Sequence, residues 1–226
     1  MLPNMFEYPF LIRIFDKLLS DQDKINIISV SKNLNQQKTK FKFYKKYICK
    51  EEDCNKWYFQ RLTKIIVFKI FKFPECVTHL KLDMLFDDFI ENIPKSITHL
   101  SFGDGYGWYT KSVPNWITHL KLNNTVRLTP QIIPNSVTHL KFNHLFNKRI
   151  ENCIPNSVIR LEFGYCFNHS IEYLPDSIKY LSLECNYDKF VTKLPSNLRK
   201  LECCKSFLEN NKHLNFDGIL IIDNSY

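Results

Sequence analysis

The stretch "IIPNSVTHLKFN", residues 132–143, feeds a proline into an alternating run: Val137, Leu140 and Phe142 are apolar, while Thr138, His139 and Lys141 are polar. Alternation with a period of two marks a strand with one buried face. Proline, with φ fixed and no backbone N–H, suits the turn before it. Related phrases stand at "NIPKSITHLSF" (92–102), "SVPNWITHLKL" (112–122) and "CIPNSVIRLEF" (153–163). The stretch is one copy of a repeat, so its histidine has to be judged together with the others.

Prolines at 74, 94, 114, 134, 155, 175 and 195 are spaced 20, 20, 20, 21, 20 and 20 residues apart. A period of this size points to a solenoid, because each small unit can hide its apolar side only against its neighbours. Three positions after each proline come Val77, Ile97, Ile117, Val137, Val158, Ile178 and Leu198. Six after come Leu80, Leu100, Leu120, Leu140, Leu161, Leu181 and Leu201, and eight after, Leu82, Phe102, Leu122, Phe142, Phe163, Leu183 and Cys203. These columns are the expected core. A fourth, twelve after the proline, is aromatic except at Val126 (Phe86, Tyr106, Phe146, Phe167, Tyr187, Phe207) and predicts a stacked spine. No unit carries a helical pattern. The fold class expected is mainly β, a solenoid with one short parallel strand per repeat, spaced ~4.8 Å apart. "LTKIIVFKI" (62–70) and "GILIIDN" (218–224) read as its end strands.

Of the 226 residues 44% are hydrophobic, enough for a core, and full disorder is excluded. The net charge of +8 is concentrated early: between Lys32 and Lys72 stand 12 Lys or Arg against Glu51, Glu52 and Asp53. No export signal and no apolar run of membrane-spanning length is read, which points to the cytoplasm. The eight cysteines are then expected as reduced thiols, and Cys49 and Cys54 form a C-x4-C without a second pair.

"FNKRIENCIP" (146–155) and "FNHSIEYLP" (167–175) carry Phe146, Asn147, Ile150 and Pro155, then Phe167, Asn168, Ile171 and Pro175. This pattern resembles FNIP repeats over about residues 70–208. That family is associated with amoebae and the giant DNA viruses that infect them, and is similar to leucine-rich repeats; if the chain is viral, the resemblance implies the host cytoplasm. Residues 10–34, "FLIRIFDKLLSDQDKINIISVSKNL", are similar to an F-box. The resemblance implies that Pro9, Leu11, Ile14, Phe15, Leu18, Leu19, Ile25, Ile27 and Val30 dock a Skp-type adaptor of a cullin-type ubiquitin ligase. The alternative for this segment is an amphipathic helical cap on the solenoid. The expected organisation is an F-box-like helical segment (1–35), a basic helical connector (36–64), and a leucine-rich-repeat-like solenoid of about seven repeats with end caps (65–226).

His79, His99, His119 and His139 fall between the core columns, beside Lys81, Lys121 and Lys141 and in line with Arg160 and Tyr180. They are expected as an exposed, partner-binding strip roughly 30 Å long across seven strands. Metal binding is disfavoured because lysines adjoin the row and no carboxylate or thiolate shares it in those units. "FGDGYGWYT" (102–110) lacks the Gly-Lys-Ser/Thr of a phosphate loop, and no hydrolase motif or paired carboxylates occur. No catalytic residue, cofactor or metal is expected. "KTKFKFYKKYICK" (38–50) interleaves lysines with aromatics and would suit nucleic acid, the least favoured partner. The expectation is a monomeric, non-catalytic protein-interaction protein recruiting a substrate to a ubiquitin ligase; a scaffold without ligase contact and a nucleic-acid binder are the alternatives.

Overall fold

The computed structural model describes residues 47–48, 64–67, 77–82, 90, 93–103 and 113–224. Their strands form one ten-stranded parallel sheet in sequence order: β1 (Tyr47–Ile48), β2 (Lys64–Val67), β3 (His79–Leu82), β4 (His99–Phe102), β5 (His119–Leu122), β6 (His139–Phe142), β7 (Arg160–Glu162), β8 (Tyr180–Ser182), β9 (Lys200–Cys203) and β10 (Leu220–Asp223). The register follows the repeat: Leu80 pairs with Leu100, Leu100 with Leu120, Leu120 with Leu140, and so on to Leu201 with Ile221. The end strands expected at 62–70 and 218–224 are β2 and β10, paired to β3 and β9. The chain is a mainly β, leucine-rich-repeat-like solenoid.

Each turn closes for a local reason. The proline carbonyl accepts the N–H of the apolar residue three positions on, as from Ile97 to Pro94 (3.0 Å), Val137 to Pro134 (3.0 Å) and Leu198 to Pro195 (3.0 Å). Proline thus opens a tight turn that aims its apolar third successor inward. Val77, Ile97, Ile117, Val137, Val158 and Ile178 are fully buried, and the two strand columns are nearly so. The aromatic spine stacks at ring-centroid spacings of 6.2 Å (Phe146 to Phe167) and 6.0 Å (Phe167 to Tyr187), and ends in a tilted pair at 5.8 Å (Tyr187 to Phe207).

Four local features depart from the repeat pattern. A single-turn helix, α1 (Lys205–Asn210), replaces extended chain in the last full unit. It still delivers Phe207 to the spine, and the buried Asn211 after it accepts from the Val191 N–H (2.8 Å) and donates to the Phe207 carbonyl (2.9 Å). The extra residue of the 21-residue interval is absorbed between Ile150 and Pro155, where Asn152 takes φ of 56°. Tyr47–Ile48, inside the stretch expected to be helical, pairs parallel with β2. The rest of residues 36–63 and the whole F-box-like segment, with Pro9, Leu11, Ile14, Phe15, Leu18, Leu19, Ile25, Ile27 and Val30, lie outside the described residues.

The fourth departure corrects the expectation of reduced thiols, since Cys185 and Cys204 form a disulfide across 5.1 Å between Cα atoms. The two occupy different phases, one residue apart in the repeat. Adjacent turns lie only ~4.8 Å apart, so a one-residue offset still leaves Cα atoms within bridging distance. Cys153, Cys166 and Cys203 are free, and burial pushes the Cys203 thiol up to about 12.

Candidate functional site

The histidine row forms on the face of the sheet opposite the core. His79, His99, His119 and His139 are register partners on β3 to β6. Their rings stack at centroid spacings of 3.8, 3.9 and 4.1 Å, with interplanar angles of 13–21°. These spacings are shorter than the ~4.8 Å between strands, while the aromatic spine behind the sheet is wider. Side chains converge on the histidine side and diverge on the spine side, so the row lies on the inside of the curve.

Each imidazole is held from the residue before it. Thr78, Thr98, Thr118 and Thr138 place Oγ1 at 2.8, 2.9, 2.9 and 2.9 Å from the Nδ1 of the following histidine. Thr118 and Thr138 also donate their hydroxyls to the carbonyls of Thr98 and Thr118, each at 3.3 Å. A hydroxyl that donates to a carbonyl accepts from the ring, which assigns the hydrogen to Nδ1 and leaves Nε2 as the acceptor. Burial, followed by His99 and His139 on either side, pushes the His119 pKa down to about 4. Burial and then Arg160 lower that of His139, with Glu162 opposing. At neutral pH the described centre of the row is uncharged.

Beyond β6 the row changes chemistry but stays flat and stacked. The Arg160 guanidinium lies 3.8 Å above the Tyr180 ring, and the Lys200 ammonium is 4.9 Å from the same ring. Glu162 accepts from Arg160 (2.6 Å) and Lys141, and Glu202 accepts from Tyr180 and from Lys200 (3.1 Å). Burial would raise both carboxyls, but the bonds to their partners prevail and hold each below the usual range. A shallow groove of about 380 Å³ lies over β3 to β7, lined by the four histidines, Ser101, Lys121, Lys141, Arg160 and Glu162.

The expected strip is therefore brought together in register, with two differences. The histidines are half-buried against one another instead of projecting into water, and Tyr180 is 9% exposed beneath Arg160 and Lys200. Lys121 and Lys141 are exposed, and Lys81 is partly so. The threonines were missed as holders of the row; the signal was the Thr-His pair repeated in four units. Also missed was a buried asparagine directly after the strand, where Asn123 donates to the carbonyl of Gly103 one turn earlier (2.7 Å). Among the described residues no group of three or more His, Cys, Asp or Glu is placed to hold a metal ion, and no helix is long and apolar enough to cross a membrane.

The FNIP Repeat family model matches residues 68–105, 110–144 and 126–166. No curated protein matches the chain. Among solved structures, the chain is similar to CroV588 of a giant virus, described as a novel circular LRR protein. The identity is 33% and the TM-score 0.53, over 66% of this chain and 24% of that one. The matched part of this chain thus spans about a quarter of that protein's length.

Proposed function

We propose, from the premise that the chain is built of FNIP repeats, that it is a non-catalytic scaffold whose inner sheet face binds another protein. The observation that carries this reading is the row from His79 to Lys200, held in register on one face of the sheet, with a shallow groove over β3 to β7. Extended faces built by stacked repeats suit recognition of long partner surfaces. The contact residues proposed are His79, Lys81, His99, His119, Lys121, His139, Lys141 and Arg160, with Tyr180 as the buried support of Arg160. The test is a pull-down with the full chain beside a variant in which His99, His119, Lys121, His139 and Lys141 become Ser. Partners lost by the variant support this face, whereas identical catches from both would place the contact elsewhere.

The finer reading is that residues 1–35 dock a Skp-type adaptor, which would make the solenoid (65–226) the substrate-recruiting arm of a cullin-type ubiquitin ligase in the cytoplasm, with residues 36–64 as connector. What supports it is the similarity of residues 10–34 to an F-box. Co-purification of a Skp protein, lost on deleting residues 1–34, is the expected result. A Skp-free preparation in mild salt returns the chain to a scaffold without ligase contact.

A further inference from the structure

The groove over the imidazole row combines two features: flat rings that show only their edges, and a surrounding excess of cations. The rings cover one another's faces at 3.8–4.1 Å, so a base has no open π-surface between them on which to stack. What a ligand meets at His119 and His139 is Nε2, because Nδ1 is engaged by Thr118 and Thr138. Among the described side chains, the charged groups facing the row are Lys81, Lys121 and Lys141 on its own strands and Arg160 and Glu162 on β7. Glu162 is already engaged by Lys141 and Arg160. The β3 to β6 part of the face is therefore electropositive, and its acceptor edges can bind an anion only by acquiring hydrogens.

We infer that this groove takes an acidic peptide segment, laid across β4 to β6, whose carboxylates lie between the Lys121 and Lys141 ammoniums and the Nε2 edges of His119 and His139, and that protons are taken up as the complex forms. This rests on the inner face being the protein-binding face. The proton balance is simple: each histidine that begins neutral gains one H⁺ from solvent at Nε2, which then donates to a carboxylate oxygen. An arriving carboxylate offsets the burial and mutual repulsion that hold the row neutral. Free chain and complex must therefore respond oppositely to acid, since acid burdens the empty row and strengthens the occupied one.

The experiment uses the full chain with a fluorescent polyglutamate peptide about ten residues long, read by anisotropy at constant ionic strength. Each proton taken up tightens binding about tenfold per pH unit. With one proton gained at each of His119 and His139, the expected result is affinity rising up to about a hundredfold as pH falls from about 7.5 to about 6.5, with calorimetry in two buffers of different ionisation enthalpy reporting net proton uptake. H119Q/H139Q should abolish the pH dependence, and K121Q/K141Q should weaken binding at every pH. Circular dichroism checks folding, and the single variant H139Q, expected to halve the proton uptake, stands in should the double variant unfold. Binding that ignores pH, or a double histidine variant that behaves as wild type, overturns the inference. So does tighter binding of oligodeoxythymidylate of equal charge, which would assign the face to nucleic acid. Should polyglutamate fail to bind while the five-site Ser variant still loses a pulled-down protein, the face stands and only its acidic, proton-linked partner falls.

Discussion

At the scale of single residues, two atoms' surroundings give measurable predictions. The folded His119 titrates at about 4 against an ordinary 6.5, first because of burial and then because His99 and His139 flank it. Between those values the unfolded chain binds more protons than the folded one, so stability is complete above pH 6.5 and falls as pH drops toward 4. Urea midpoints measured across that window should decline with acid, and H119Q should flatten the slope; an unchanged slope would mean the stacked row does not govern it. The second case is Gly164, where an added Cβ would lie 2.1 Å from the Asn143 carbonyl oxygen of the preceding turn. Backbone cannot yield there as a side-chain tip could, so Gly164→Ala should cost about 2–3 kcal/mol in chemical denaturation. Gly218 has φ of +74° but nothing within 4 Å of an added Cβ. Gly218→Ala should cost only about 1 kcal/mol, the strain of a left-handed residue alone. A reversed order of the two would show that the turns can separate without penalty.

At the scale of elements, the strands and their register were legible because every turn repeats the same three apolar columns, and a shift of one residue would expose all of them. Leu80, Leu100 and Leu120 could be aligned by counting from proline alone. The Cys185–Cys204 bridge could not, because counting by column hides contacts one residue out of phase between neighbouring turns. Nor could α1, since a helical turn and an extended one both deliver Phe207 to the spine. The groove was half legible: its row of residues followed from alternation, but the ring stacking and the Tyr180 burial depend on curvature, which no single repeat encodes. The bridge closes a separation of 19 residues, so its loss should destabilise the chain by about 3 kcal/mol on chain-entropy grounds. Reduction with a thiol reagent, or C185S/C204S, should lower the urea midpoint while leaving the circular dichroism spectrum of the native state unchanged. A spectrum that collapses on reduction would show instead that the C-terminal turns depend on the bond for folding at all.

At the scale of the whole molecule, each turn touches little beyond its two neighbours, since β3 to β10 pair strictly in sequence order. Stability should then behave as a chain of nearest-neighbour terms, and damage in the middle should stay local. Leu140 offers the test: it is 1% exposed, pairs in register with Leu120 and Leu161, and sits under the centre of the proposed binding face. Truncating a buried leucine to alanine costs about 2–5 kcal/mol. In a globular core that loss would lower hydrogen-exchange protection everywhere by the same amount. Here, Leu140→Ala should deprotect amides of β5 to β7 first, while Leu220 N–H, bonded to the Arg199 carbonyl at 2.8 Å, and the other amides joining β9 to β10 keep most of their protection. The same variant should impair binding at the histidine row more than an equally costly truncation at Leu201, because only the former loosens the strands that carry His119 and His139. Uniform deprotection across the sheet would show that the turns unfold as one unit, and the binding face could then not be tuned independently of the ends.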